Sequence, residues 1–408
     1  MTYSIIQKSQ LEGAKRLDAE YYQPEYLEIA RVLQSVPHET LEHAAESLVS
    51  FGAYALTSFI EWQESGIPFV TAENIRDGFI DYDSARFIGE KVDELLKKSR
   101  VKENQVLLAM SGSVGNAAVA VDIPAKLNSN QDIVKITPRA GLSPYVLASF
   151  LNSRYGKTQV LRLPVGSVQQ HIFLWQMQTM LIPLFDVEHS LAIENKYKNG
   201  LEELKNSKSL YSHAENLLLE ELGLVDFEKD QSLSWTVNLS DTKTAGRIDA
   251  EYFQPKYEKL VSKLKSHNAR PLGELVTIKK GFEPGSEAYQ DEGKLFIRVS
   301  SISKDGITDK DQKYLKDELY QKLKKDYEPE VGELLLTKDA TPGVAYAVKE
   351  PVEGLIAGGV LKLKLREDIE SEYLALVINS VVGQMQVERD AGGSIIAHWK
   401  PDQIKALQ

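Results

Sequence analysis

Residues 38–43, His-Glu-Thr-Leu-Glu-His, set two imidazoles and two carboxylates in one short stretch, a set able to bind zinc and activate water. A zinc-peptidase helix needs its histidines four apart, so that both rings share a face. Here they are five apart and Glu42 stands where the second ligand belongs, which turns His38 and His43 to different faces. A solvated polar helix is the reading that remains. Residues 110–117, Met-Ser-Gly-Ser-Val-Gly-Asn-Ala, have the small-residue spacing of a phosphate loop. No Gly-Lys-Ser/Thr follows, and the corresponding stretch at 338–345 reads Lys-Asp-Ala-Thr-Pro-Gly-Val-Ala. A tight turn between two strands accounts for Gly115 and Gly343. No Ser-His-Asp order stands out, and the chain has no cysteine, which removes thiolate nucleophiles, disulfides and cysteine zinc sites. The residues therefore point away from an enzyme.

What recurs is a phrase. "RLDAEYYQPEYLEI" begins at Arg16 and "RIDAEYFQPKYEKL" at Arg247, 231 positions later, with eight of fourteen residues identical. Gln23-Pro24-Glu25-Tyr26 and Gln254-Pro255-Lys256-Tyr257 share a proline and a tyrosine with the Asn-Pro-Pro-Tyr motif of adenine methyltransferases. Both lack its second proline and its leading residue, and no glycine-rich cofactor strand accompanies them. Asp18, Glu20, Tyr21 and Pro24 read as anchors for the start of each copy, or as a contact surface used twice.

The likeness runs on. "GIPFVTAENIRDGFID" from Gly66 pairs with "GKLFIRVSSISKDGITD" from Gly293, each an alternating apolar run closed by Asp-Gly. "NQVLLAMSGSVGNAAVAV" pairs with "GELLLTKDATPGVAYAV", strand, loop and strand. "DIVKITPRA" pairs with "GVLKLKLRED", and each is followed by a capped helix, "YVLASFLNSRYG" and "YLALVINSVVGQ". Each copy is thus a mixed α/β unit of single-domain size. Scaffold agrees and loops diverge: Glu73-Asn74 faces Ser300-Ser301, Thr71 faces Arg298, and Ser111-Gly112-Ser113 is aligned with Lys338-Asp339-Ala340.

Between the copies, residues from about 186 to 222 lack proline and are rich in helix formers. Tyr197, Leu201, Leu204, Tyr211, Leu218 and Leu222 fall on one a/d seam, interrupted by Lys208 and Glu215, with Gly223 as its stop. A continuous helix of this length spans ~50 Å. The expected organisation is a first domain at 14–185, a long coiled-coil-like spacer helix at 186–223, a linker at 224–245 and a second domain at 246–408; the other reading of the helix packs its seam on its own domain.

The 408 residues exceed what one core usually serves. The net charge is −11, so any polyanion must be met by a local face. By segment it is −4 over 1–187, −5 over 188–246 and −2 over 247–408. The amino-terminal residues carry no signal-peptide core, and no run approaches the ~20 apolar residues of a membrane span. With the lack of cysteine this suits the cytoplasm.

In this order of motifs the chain resembles the specificity subunits of type I restriction–modification systems. The likeness rests on "GIPFVTAENI", the paired strand–loop–strand segments, and "VGSVQQHIFLWQMQTMLIPL" leading into the long helix. Where that family often has Gly-Ser-Thr-Gln, this chain has Gly166-Ser167-Val168-Gln169. The resemblance implies two target-recognition domains, each reading half of a split DNA sequence, and no catalysis. It implies two methyltransferase subunits using S-adenosylmethionine, and endonuclease/translocase subunits using ATP and Mg, with no cofactor in this chain. The second copy stops before the place where a second long helix would follow, so the seam is expected to pair with a segment outside residues 1–408. The other reading is a protein-interaction adaptor or inhibitor derived from such a subunit, without DNA binding.

DNA contacts are expected from loops after strands, where protruding side chains reach base edges. In the first copy these are Asn74, Arg76, Ser111, Ser113 and Gln169; in the second, Lys279, Lys280, Arg298, Ser301 and Lys338. Partner contacts are expected from the six seam residues and from Asp18, Tyr21, Asp249 and Tyr252. No metal site is expected.

Overall fold

The computed structural model of the protein describes residues 3–14, 16–50, 60–163, 172–225, 227, 234–308, 312–366, 368–391 and 398–408. The chain forms two compact units, Met1–Ser207 and Lys208–Gln408. Both are mixed α/β, and two four-stranded sheets recur in them with the same strand order. In the first unit a four-stranded antiparallel sheet has the order Ala45–Val49, Ile133–Pro138, Val106–Ala109, Ala117–Val119. In the second the order is Val276–Lys280, Val360–Leu365, Leu334–Thr337, Ala345–Ala347. A further four-stranded sheet follows the same rule in both. It runs Trp62–Gln63, Arg86–Ile88, Ile67–Val70, Asn128–Ser129 in one unit and Tyr289–Gln290, Lys313–Leu315, Lys294–Ile297, Gly354–Ile356 in the other. Its last pair is parallel in each.

Continuous apolar runs mark strands buried on both faces. Val106 and Leu108 join the core beneath the helices, while Leu107 and Ala109 face a separate core that also holds Val70 and Ile75. Leu334 and Leu336 divide from Leu335 in the same way. Period-two alternation therefore sorts one strand's side chains into two cores, and the divided sheet lies between a helical layer and its neighbour.

The helical layer shows what the repeated Asn-Ser-x-x-Gly does. Asn152 accepts from the Ala117 amide at 2.8 Å and donates to the Ala117 carbonyl at 2.7 Å. Asn379 does the same to Ala345, at 3.0 and 2.7 Å. Each amide completes the open edge of its sheet. Ser153 then caps the next helix by accepting from Gly156 at 3.3 Å, and Ser380 accepts from Val382 at 3.2 Å. Asn152→Ala strands a backbone donor and acceptor together, so its expected cost is about 2 kcal/mol. Urea unfolding of the variant checks this, and a loss indistinguishable from zero counts against the bracket.

The long helix is Val187–Glu221, and Gly223 follows it in the left-handed region at φ +61°. Its seam is covered partly by the unit to which each residue belongs. In the first unit Tyr197 packs on the core, its ring edge-on to Tyr145 at 5.4 Å and its hydroxyl accepting from Val119 N at 3.3 Å. In the second, Leu219, Leu222, Leu224 and Phe227 pack with Tyr257, Leu260 and Leu264, while Leu218 is buried and Lys304 sits over the Tyr211 ring at 4.2 Å. Leu201 and Leu204 are half-buried.

Two sequence readings change here. The His38–His43 segment is no polar helix: His38–Thr40 is a strand paired with Leu181–Pro183, and Leu41–Ala44 is one helical turn with Leu41 and Ala44 fully buried. Tertiary pairing overrides the local polarity. The repeat also begins earlier than its phrase, since the helix Lys8–Ala14 corresponds to Leu239–Ala245.

Candidate nucleic-acid interface

In the second unit the loops after Val276–Lys280, Lys294–Ile297 and Leu334–Thr337 line one open cavity. In the first, the loops after Ile67–Val70 and Val106–Ala109 meet, with Asn116 donating to Ile75 O at 3.2 Å. The loop after Val106–Ala109 closes with Gly115 N donating to Ala109 O at 3.0 Å; its counterpart closes with Gly343 N donating to Thr337 O at 2.9 Å. Gly112 and Ala340 are both left-handed, at φ +61° and +59°. The structure thereby pairs Ser111 with Asp339 and Gly112 with Ala340, the register that Gly115 and Gly343 share and one residue away from the pairing of Ser111 with Lys338. The strands fix the register, and the loops have equal length.

Asn74 and Ser301 do not face outward. Asn74 is 5% exposed and Ser301 is fully buried. Asn74 accepts from Thr71 N at 2.7 Å and donates to Ser84 Oγ at 2.9 Å. Ser301 Oγ accepts from Arg298 N at 2.9 Å and donates back to Arg298 O at 2.9 Å. Both tie down the same short 3-10 turn, Ala72–Asn74 or Val299–Ser301. Residue type gave them a polar look; backbone demand takes their polarity inward.

The remaining candidates differ between units. In the first, Arg76 is exposed and lies 3.5 Å from Asp81. Ser111 and Ser113 are half-buried in the glycine loop. Gln169 lies outside the described residues. In the second, Lys279 pairs with Asp326 at 2.6 Å and Lys280 with Glu283 at 3.4 Å. Lys338 is largely buried and paired with Asp339, which also receives His398 Nδ1 at 2.8 Å. Burial works against the charged form of Asp339, yet Lys338 and His398 outweigh it and hold the carboxyl below its usual range. Arg298 lines an open cavity of about 480 Å³ with Glu283, Ser300 and Thr341. The candidate residues of the two units are therefore unlike: two hydroxyls and an arginine beside Asp81 in one, and three lysines and an arginine among carboxylates in the other.

The duplicated phrase builds a clasp. Arg16 donates to the Asp18 carboxylate at 2.8 and 2.5 Å and to Leu163 O at 3.0 Å. Its guanidinium lies 4.6 Å from the Tyr21 ring centre, and Arg162 lies 4.0 Å from the same ring. In the second unit Arg247 holds Asp249 at 2.8 and 2.6 Å, donates to Asp390 O at 3.2 Å, and shares the Tyr252 ring with Arg389. The hydrogen bond from Arg16 or Arg247 keeps each aspartate below its usual pKa range. Asp18, Tyr21, Asp249 and Tyr252 thus anchor each copy to the end of its own helix. Sequence could not supply Arg162 and Arg389, which sit far along the chain from the phrase they complete. Beside each clasp one aliphatic residue points outward: Leu17 is 86% exposed and Ile248 is 91% exposed.

No helix of the described residues is long and apolar enough to cross a membrane. No family model matches the chain. A segment of 126 residues, 31% of this chain, is 22% identical to the type I restriction enzyme EcoBI specificity subunit of Escherichia coli. That segment spans 26% of the curated relative. Among solved structures, the S subunit of a type I restriction–modification system from M. genitalium is 16% identical, with a TM-score of 0.40, covering 90% of this chain and 82% of that one. The HsdS subunit from Thermoanaerobacter tengcongensis is 16% identical, with a TM-score of 0.30, covering 84% and 79%. The chain is thus similar, in the sequence of one segment and in the solved structures it matches, to specificity subunits of type I restriction–modification systems.

Proposed function

We propose that this chain is the non-catalytic DNA-reading subunit of a type I restriction–modification complex, each unit reading one half of a bipartite target. One observation carries the reading: the two four-stranded sheets of each unit share their strand order with those of the other while the loops at their ends carry different side chains. Two copies of an enzyme would repeat their chemistry; two readers of different sequences repeat only their frame. The duplicated clasps, each beside an exposed Leu17 or Ile248, support two copies of one partner meeting equivalent surfaces. Methyltransferase subunits fit that role, with endonuclease/translocase subunits completing the assembly; S-adenosylmethionine, ATP and Mg belong to those subunits.

The test is duplex binding by the full chain across a salt series. Phosphate contacts release counterions, so log affinity falls linearly with log salt, by about 0.9 per contact. Lys279→Ala with Lys280→Ala is expected to reduce that slope by about 1 to 2 and to weaken all duplexes alike. Both lysines are spoken for by exposed carboxylates, Asp326 and Glu283, in pairs that DNA phosphates can replace. Absence of duplex binding at low salt rejects the function. An unchanged slope in a folded double variant rejects this face of it.

A further inference from the structure

On the DNA-reading role proposed above, we infer that the open cavity of the second unit reads one G·C base pair, with Arg298 taking guanine and Glu283 taking cytosine. The cavity, about 480 Å³, brings together the loops after Val276–Lys280, Lys294–Ile297 and Leu334–Thr337. Its apolar wall is held by packing. Phe296, 2% exposed, meets Phe282 edge-on at 5.5 Å, and Tyr289 lies against it at 5.7 Å. Two glycines keep the space open. A Cβ on Gly358 would fall 2.2 Å from Glu283 Oε1, and one on Gly359 would fall 2.7 Å from Val299.

The mixture of charges selects the ligand. A phosphate offers acceptors alone, and it would meet the Glu283 carboxylate as well as the Arg298 guanidinium. A G·C edge in the major groove offers both kinds of group. Guanine N7 and O6 form an acceptor pair matched to the guanidinium fork, and cytosine N4–H is a donor matched to a carboxylate. An A·T edge places a donor beside its purine acceptor, so the fork is half used. Glu283 now rests in an exposed ion pair with Lys280 at 3.4 Å, a weak contact that a base can displace.

The reader belongs to one unit. Thr71 stands in the first unit where Arg298 stands in the second, and its hydroxyl already donates to Asn74 at 3.1 Å. Gln131 and Asp132 replace Gly358 and Gly359. The half-target of the first unit is therefore read without this contact.

The full chain is presented with a pool of random-sequence duplexes, and the retained duplexes are sequenced. One half of the selected target is expected to contain an invariant G·C pair. Arg298→Gln is expected to cost guanine about 10- to 100-fold at that single pair. Combined with Glu283→Gln, whose amide can donate to thymine O4, it moves the preference there from G·C to A·T, since its own amide matches adenine N7 and N6–H. The rest of the target stays unchanged. Glu283→Gln, at an exposed position, is expected to weaken the same pair about 10-fold without touching the fold. A purely structural Arg298 cannot give a new base preference. If the wild-type chain selects a target and both folded variants select the identical one, the inference is overturned and the DNA-reading role stands. The same holds if Arg298→Gln fails to fold and Glu283→Gln leaves the pair untouched. If the wild-type chain selects nothing, the role itself fails and the inference falls with it.

Discussion

Alanine at Gly156 or Gly383 is expected to cost its unit about 3 kcal/mol, the upper part of the usual range for overpacking. In an unconstrained helix the same change would gain about 1 kcal/mol, because glycine is a poor helix former. Contact decides otherwise. A Cβ on Gly156 would lie 2.3 Å from Phe150 O and 2.5 Å from Leu151 Cα. On Gly383 it would lie 2.2 Å from Ile378 O and 2.6 Å from Ile378 Cα. These are backbone atoms of the preceding helix, Pro144–Asn152 or Ser371–Asn379, and cannot turn aside as a side chain would. The two helices must part, which also pulls Asn152 or Asn379 from the strand edge it completes. Hydrogen exchange followed by mass spectrometry separates the units. Gly156→Ala is expected to lower protection in Val106–Ala109 and Ile133–Pro138 alone, and Gly383→Ala in Leu334–Thr337 and Val360–Leu365 alone. A loss below about 1 kcal/mol in both would mean the helix pairs are looser than these distances require.

Much of this frame is legible in the sequence. The phrase at Arg16 and Arg247, the apolar runs at 106–109 and 334–337, the glycines at 115 and 343, and the helix-forming stretch from 186 to 222 all report local rules. Chain propensity, alternation and turn geometry act over a few residues, and sequence displays them directly. What stayed hidden depends on direction and on distant partners. Asn74 and Ser301 have the same polar look as any loop residue, yet each spends its polarity on its own backbone. Tyr21 reads as a surface aromatic until Arg162 is brought over its ring from 141 residues away. The Asn-Ser-x-x-Gly repeat was visible as letters; that Asn plugs a sheet edge and Gly admits a helix backbone required the third dimension. Gly115 and Gly343 mark the loop register correctly, whereas the pairing of Ser111 with Lys338 misses it by one residue for a related reason. Divergent loops carry little alignment signal, and only the paired strands on either side settle which residues correspond.

The two units also differ at one buried charge. Lys135 and Lys362 occupy equal places, opposite Leu107 and Leu335 on the central strand pair of their units. Lys362 has a carboxylate: Glu333 lies 3.3 Å away, and the ammonium also donates to Glu328 O at 2.8 Å. In the first unit Gln105 stands where Glu333 does, two residues before the facing leucine. Lys135, 2% exposed, donates to Ser129 Oγ at 2.9 Å, and burial pushes its pKa down from 10.5 to about 8. The unfolded chain holds this proton up to about pH 10.5, while the folded unit releases it near pH 8. Between those values the unfolded state binds more protons, so this residue's penalty shrinks as pH rises and is complete below pH 8. A difference of 2.5 units corresponds to about 3 kcal/mol. Lys135→Met, of similar length and uncharged, is therefore expected to stabilise the first unit by up to about 3 kcal/mol at pH 7. The gain over wild type should fall through pH 8 and 9 and nearly vanish by pH 10. Gln105→Glu supplies the missing carboxylate, raises the lysine's pKa, and should move the onset of that fall to higher pH. Urea titrations followed by tryptophan fluorescence at pH 7, 8, 9 and 10 give all three curves. A Lys135→Met difference that is constant across them would show that the ammonium pays no penalty for its position, and that Ser129 and the surrounding backbone solvate it as well as Glu333 serves Lys362.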